Sequence, residues 1–292
     1  MRIADNTRFE AMRQSMATSQ AQYFKASREA SSGVRVGAPS DDPIAAAQAL
    51  RVQSAMDRTT AYRSSINTVR GDVELAESSL ADAKSDLDRA HEIALQAGSG
   101  QMNADERKAL GIEAAQLKEH LLSVANTKGS QGYLFGGTQT AAAPFSASGT
   151  FSGDDLDRNI ELANGVVTAV STSGAKAFTA AGGRDVLADL DSLVTALNSN
   201  DQAGVLATVN ALDASGRQIL AARVDAGLKV AKLEAADTAH EQTGISLATN
   251  QQTLVGSDPA QAYSRLAQAQ QGVDQAISVS KNILDTLRST QI

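Results

Sequence analysis

The fold class follows from residues 66–97, which read INTVRGDVELAESSLADAKSDLDRAHEIALQA. Small or apolar residues recur in this stretch at alternating steps of three and four. They are Ile66, Val69, Val73, Ala76, Leu80, Ala83, Leu87, Ala90, Ala94 and Ala97. This spacing keeps one face of a helix toward a partner helix over roughly 47 Å, at a rise of about 1.5 Å per residue. The stretch therefore predicts a long helix in a coiled-coil or bundle, and its alanines predict close approach of the partner.

Other segments continue the helical pattern. A helix over about 104–126 places Leu110, Ala114, Leu117, Leu121 and Val124 on one face, and its short connection predicts an antiparallel neighbour of the first helix. Further helices are predicted over about 185–197 and 216–255, with another beginning near Gln202. In the helix over 216–255 the residues at every seventh position are mostly apolar and include His240, but the positions between them are mixed. The predicted rod core comprises Ile66, Val69, Val73, Leu80, Leu87, Leu110, Leu117 and Leu121.

Both ends of the chain carry a similar stripe. Near the start it consists of Phe9, Met12, Met16, Ser19, Tyr23, Ala26 and Ala30, and near the finish of Leu266, Gln270, Val273, Ile277, Ser280, Leu284 and Leu287. Each stripe requires a partner, either the other end or a second copy, which indicates an assembly protein. The predicted assembly interface comprises Phe9, Met12, Met16, Tyr23, Leu266, Val273, Ile277, Leu284 and Leu287.

Two similar breaks separate these terminal helices from the rest. Gly37 lies in the first break, where Asp42 is a candidate helix cap and Pro43 occupies the first helical position. The second break repeats this device with Asp258 and Pro259. We interpret the two breaks as a shared hinge.

The amino-acid composition changes over residues 129–183, where Gly, Ser, Thr and many of the aromatic residues concentrate. Two strand-like runs flank Asn164-Gly165, which is a hairpin signal. The chain is therefore predicted to be mainly α, an elongated antiparallel helical rod built from both chain ends with a small β-rich insert. Three domains are predicted: a terminal helical layer (1–40 with 257–292), a rod (41–128 with 184–256) and an outer insert (129–183).

Composition narrows the function classes. The 292 residues carry a net charge of −7 without basic runs, which disfavours nucleic-acid binding. No stretch approaches the ~18–20 apolar residues of a membrane span, and the first residues lack the apolar core of a cleaved signal peptide. The absence of cysteine excludes disulfides and thiolate chemistry but leaves the compartment open.

No catalytic, cofactor or metal site is predicted. His91, His120 and His240 lie far apart in sequence without metal-ligand spacing, so His120 is interpreted as a solvated surface residue and His240 as a buried, hydrogen-bonded one. The acidic pair Asp154-Asp155 lacks the further ligands of a calcium loop and is interpreted as a turn.

One segment carries a family resemblance. Residues 31–50, SSGVRVGAPSDDPIAAAQAL, resemble the N-terminal signature of bacterial flagellin-type proteins, and their PSDDP core is similar to that of the hook–filament junction members. The opening Met1-Arg-Ile, residues 91–100 and residues 132–140 are also similar to that family. The chain ends LDTLRSTQI, which departs from the Leu-Leu-Arg tail typical of flagellin.

The resemblance implies a structural component of the flagellum, an adaptor ring between a hook-side junction protein and flagellin. It further implies pairing of the terminal helices as an inner layer, an export chaperone, and secretion through the flagellar type III apparatus. Ordering an isolated helix pair costs about 1–2 kcal/mol per residue. We therefore hypothesise that residues 1–35 and 260–292 are largely disordered in the free monomer and fold on assembly.

Other functions stay open on the residues alone. Flagellin, the filament subunit, shares the signature of residues 31–50. A coiled-coil scaffold or signalling module fits the heptads, although the insert and the missing membrane span disfavour it. An enzyme would need a ligand-binding constellation in the insert, and none is evident.

Overall fold

The computed structural model describes the backbone of residues 2–289 and the side chains of residues 7–285. It is 73% helical. The helices are α1 (Arg2–Ser32), α2 (Pro43–Ala97), α3 (Ala104–Ala125), α4 (Gly174–Phe178), α5 (Val186–Asn198), α6 (Gln202–Val255) and α7 (Pro259–Ser289). The strands are β1 (Lys128–Gly129), β2 (Gly132–Tyr133), β3 (Asn159–Ala163) and β4 (Val166–Ala169). The predicted fold class, mainly α with a small β insert, is confirmed.

The chain forms two compact units. The terminal unit comprises Met1–Arg58 and Thr243–Ile292, and the central unit comprises Thr59–Gln242. Because α2 and α6 each contribute residues to both units, the division falls inside these helices. The three-domain division inferred from the sequence stays a prediction.

The core of the central unit follows the seam of α2. All ten seam residues from Ile66 to Ala97 are buried, and Val69, the most exposed of them, is only 4% exposed. Buried residues of α6 recur at seven-residue steps and belong to the same hydrophobic cluster: Leu212, Ile219, Ala226 and Leu233. From α3, Leu121 is fully buried, whereas Leu110 and Leu117 are half-buried against the cluster.

The connection between α2 and α3 is held by Arg107, a buried cation. Its Nε donates to the Ala97 carbonyl oxygen at 3.0 Å, and its two terminal nitrogens donate to the oxygens of Ser99 and Asn200. The bonds to Ala97 and Ser99 satisfy backbone carbonyl groups at and just after the end of α2, which have no partner within the helix. The helix α3 then begins with a capping box between Asn103 and Glu106.

One helix is longer than predicted. The predicted helices near Gln202 and over 216–255 are one continuous helix, α6. A glycine inside a helix costs only about 1 kcal/mol, and Gly216 is buried beside the aliphatic chain of Lys84. Tertiary packing therefore outweighs the local break signal.

The insert has two small antiparallel sheets, β1–β2 and β3–β4. The predicted hairpin at Asn164-Gly165 is present, with Gly165 at φ +74°. The insert has an aromatic core, since the centroid of the Phe178 ring lies 5.2 Å from that of Phe135 and 5.7 Å from that of Phe145. Most of the remaining insert is irregular or helical, so residues 129–183 hold less β structure than their composition indicates.

His240 and His120 each contact a specific partner side chain or carbonyl group. His240 is half-buried, its Nε2 lies 2.6 Å from the Leu162 carbonyl oxygen, and its ring stacks on Tyr62. His120 is exposed as predicted, but it is not simply solvated, because its Nδ1 lies 2.6 Å from Asp86 Oδ2. Asp154 forms a turn, accepting hydrogen bonds from Thr138 and from the backbone N–H of Leu156.

The Asp86→Asn variant should be more stable than the wild type at neutral pH. Burial raises the pKa of the Asp86 carboxyl above its ordinary value of 3.8, and the His120 hydrogen bond only partly opposes this shift. Folding therefore favours the protonated form, so the ionised carboxylate costs stability once the pH exceeds its folded-state pKa. Asparagine keeps the acceptor oxygen without the charge. Thermal unfolding should show a higher Tm for the variant at neutral pH, and the difference should vanish in acid.

Candidate assembly interface

The helices α1 and α7 pack along each other in the terminal unit. The described residues buried on these two helices are Ala26 and Glu29 of α1, and Ala262 and Ser280 of α7. The largest buried apolar side chain described in the whole terminal unit is Val36. Since apolar burial contributes roughly 25 cal/mol per Å², this helix pair gains little stability from its own packing.

The predicted interface residues divide into two groups by burial. Met12, Met16, Tyr23, Leu266, Val273 and Ile277 are half-buried. Phe9 is 40% exposed and Leu284 is 48% exposed. Leu287 lies outside the residues whose side chains the structure describes.

A groove lies beside the contact between α1 and α7. It has a volume of about 340 Å³ and is lined by Met12, Ser15 and Ser19 of α1 and by the α7 residues Gly272, Gln275, Ala276, Val279, Ser280 and Ile283. Gln270 and Leu284 of the predicted α7 stripe are exposed. The predicted interface as a whole stays a prediction.

Sequence reasoning also missed several exposed apolar side chains of the terminal unit. Phe24 is 64% exposed and Tyr263 is 62% exposed. The others are Ile44, Leu50, Ile245 and Val279. The signal was available for Phe24 and Tyr263, because both are large aromatic residues that lie outside the predicted stripes. Together these residues give the terminal unit an apolar surface without a covering element among the described residues.

The two breaks form one hydrogen-bonded joint. The Arg35 N–H donates to the Val255 carbonyl oxygen at 2.8 Å, and the Ser257 N–H donates to the Gly33 carbonyl oxygen at 2.8 Å. Val34 and Gly256 accordingly form an isolated antiparallel bridge. The chain segments after α1 and before α7 are thus tied together by their backbones.

Acidic caps support this joint as predicted from the sequence. Asp42 Oδ1 accepts from the Ala45 N–H at 3.0 Å, and Asp258 Oδ1 accepts from the Ala260 N–H at 2.8 Å, so Pro43 and Pro259 begin their helices. The Ala45 hydrogen bond, followed by Arg35, holds the pKa of Asp42 below its ordinary value. The Gly37 N–H is bound by the carboxylate of Asp41 at 3.1 Å.

A buried carboxylate fastens α1 to α7 at this joint. Glu29 is 7% exposed, and its Oε1 accepts hydrogen bonds from Ser257 Oγ at 2.6 Å and from Arg265 Nη1 at 2.8 Å. A buried charge with two strong donors is stable where it lies, but it becomes costly when the partners are lost. Glu29 therefore fixes the register between the two terminal helices.

Replacing Glu29 with alanine should loosen the joint by about 1–3 kcal/mol, because Arg265 and Ser257 lose their acceptor. Hydrogen exchange of the amides around Gly33 and Ser257 should accelerate. The matched control is Glu10→Ala, on the same helix, whose carboxylate only pairs with the exposed Arg13 and should contribute ~0–1 kcal/mol at most. Equal exchange in the two variants would contradict the assigned role.

Two other features were sought among the described residues. No helix over that part of the chain is both long and apolar enough to cross a membrane. Nor do His, Asp and Glu side chains gather there in a group that could hold a metal ion.

The chain is similar to the flagellin-type proteins of the bacterial flagellum. Residues 3–140 match the family model of the bacterial flagellin N-terminal helical region. The fold agrees with solved structures: FlgL from Bacillus cereus (TM-score 0.62, 22% identity, 69% of this chain and 99% of that one) and the flagellar junction protein FlgL from Legionella pneumophila (TM-score 0.59, 17% identity, 71% and 99%).

Within that class the chain is similar to flagellar hook-associated protein 3. It is 31% identical over 180 residues to the Salmonella typhimurium protein of that name, covering 61% of this chain and 57% of that protein. It is 27% identical over 284 residues to the Escherichia coli protein, covering 88% and 89%. The recognition from residues 31–50 of a hook–filament junction protein in the flagellin superfamily is confirmed, and flagellin is not better supported.

Proposed function

We propose that the chain is an adaptor that joins a hook-side junction protein to the first flagellin subunits, in a ring with copies of itself. The observation that carries this proposal is the terminal unit, which exposes Phe24, Tyr263, Ile44 and Leu50 yet buries no large apolar side chain among its described residues. Such a surface is typical of a unit completed by neighbouring subunits. The relatives named hook-associated protein 3 support the same role.

The role is structural, without a reaction of its own. Export would proceed through the flagellar type III apparatus without a cleaved signal, escorted by a chaperone that covers the terminal helices. A chaperone would fit the proposed role, because an exposed apolar surface on the terminal unit needs protection until its neighbours are present. The adaptor would then act outside the cell, within the flagellum.

A bridging experiment tests the adaptor role. Hooks capped only with the hook-side junction protein are incubated with the purified chain and then with flagellin. Flagellin should attach only to hooks that first received the chain. Attachment that is equally efficient without the chain would refute the proposal.

The flagellin alternative is tested separately by seeded polymerisation. Short filament fragments are mixed with purified chain at concentrations at which flagellin elongates them. An adaptor should cap the fragments and stop further growth by flagellin. Long filaments composed of the chain alone would show that it is a filament subunit.

The limited burial in α1 and α7 predicts weak protection in the dilute monomer. Backbone amides of these two helices away from the joint at Glu29 should exchange close to the unfolded rate, whereas those of α2 near Leu80 should be protected by the global unfolding free energy. Hydrogen exchange followed by mass spectrometry reports both regions in one sample. Strong protection of α1 and α7 in the monomer would contradict folding on assembly.

A further inference from the structure

The β3–β4 turn carries a chemically reactive pair of residues. Asn164 and Gly165 are both exposed, and the Asn-Gly pair occurs once in the chain. Gly165 has φ +74°, and apart from its chain neighbours nothing lies within 4 Å of the position where a Cβ would be. Because glycine has no side chain, its backbone nitrogen is less hindered than that of other residues. An unhindered nitrogen after asparagine is the nucleophile for cyclisation onto the side-chain amide.

A neighbouring carboxylate accepts a hydrogen bond from that nitrogen. The Gly165 N–H donates to Glu161 Oε1 at 2.9 Å across the turn. The same oxygen also lies 3.4 Å from the hydroxyl of Tyr62. A carboxylate at this distance can accept the amide proton as the nitrogen attacks, which is the geometry required of a general base.

We propose that Asn164 is a site of spontaneous deamidation, assisted by Glu161. The Gly165 nitrogen forms a bond to Asn164 Cγ as its proton moves to the Glu161 carboxylate. The bond from Cγ to the side-chain nitrogen then breaks, and that nitrogen leaves as ammonia with the transferred proton. Water opens the resulting succinimide at either carbonyl, which gives aspartate or isoaspartate without an oxidant or reductant.

The product would disturb contacts that attach the hairpin to α2 and α6 within the central unit. Leu162 offers its carbonyl oxygen to His240 at 2.6 Å, and Thr168 Oγ1 accepts from Lys232 Nζ at 2.5 Å. Isoaspartate adds one carbon to the main chain between the two strands. The β3–β4 register, which pairs Ala163 with Val166, would then no longer fit the turn, so the hairpin should loosen irreversibly as the protein ages.

The test is incubation of the full chain at neutral pH and physiological temperature, with peptide mass spectrometry over time. The Asn164 peptide should gain the mass of an amide-to-acid change and show isoaspartate, while Asn159 on β3, followed by Ile160, stays unmodified. The folded chain should convert at least as fast as the chain unfolded in urea. Slower conversion in the folded chain would show that the turn protects Asn164, and would overturn the proposal.

A matched variant isolates the role of Glu161. Glu161→Gln keeps an acceptor oxygen for the Gly165 N–H but cannot take its proton at neutral pH, so conversion should slow by roughly tenfold, below the range for buried bases because the site is exposed. Circular dichroism of both proteins checks that each is folded. An unchanged or faster rate in a folded Glu161→Gln protein would remove Glu161 from the mechanism, and the same comparison in urea should show no difference.

Discussion

Replacing Leu80 with alanine is expected to destabilise the central unit by ~3–4 kcal/mol. Leu80 is fully buried in the cluster that α2 forms with the other helices of this unit. The substitution removes the burial of three carbon atoms and leaves a cavity in a tightly packed, alanine-rich helix contact that cannot easily collapse. Urea unfolding followed by circular dichroism should show a lower midpoint with an unchanged slope.

Leu75→Ala is the matched control, five residues earlier on the same helix. Leu75 is 41% exposed, so the same chemical change should cost less than ~1 kcal/mol. Equal losses in the two variants would mean that the seam of α2 does not hold this unit together. A large loss at Leu75 alone would indicate that this face is covered in solution.

The seam of α2 could be predicted from the sequence because burial and helical period act on the same residues. The ten seam residues from Ile66 to Ala97 recur on one face, and the structure buries all of them. The continuity of α6 could not be predicted in this way. Glycines such as Gly204 and Gly216 signal a break locally, but their cost is small beside the packing of the helix that contains them.

In the terminal unit, local sequence was sufficient to find the helix caps but not the contacts between distant residues. The capping residues Asp42 and Asp258 act over three residues or fewer, so local sequence was sufficient to find them. The Glu29 contacts join residues more than two hundred positions apart. A single carboxylate on a helix gives no local sign of such a partner.

Removing residues 260–292 should abolish assembly and leave the central unit folded. The deletion takes away nearly all of α7, and with it the contacts of Arg265 and Ala262 in the terminal unit. The buried cluster of the central unit contains no residue from this segment, so its urea midpoint should change little. The truncated chain should bind neither capped hooks nor flagellin in the bridging experiment. Loss of helical structure throughout the chain would contradict this division of roles.

A pair of full-length variants separates the α1–α7 contact from the mere presence of the segment. Ala276 lines the groove against Met12 and Ser15 of α1, so Ala276→Asp places an unpaired charge in that contact. Gln271→Asp adds the same charge on the exposed side of α7. Both chains should keep the wild-type urea midpoint for the central unit, but only Ala276→Asp should fail to bridge hooks and flagellin. If only Gln271→Asp fails to bridge hooks and flagellin, the exposed face of α7, and not its pairing with α1, carries the assembly function.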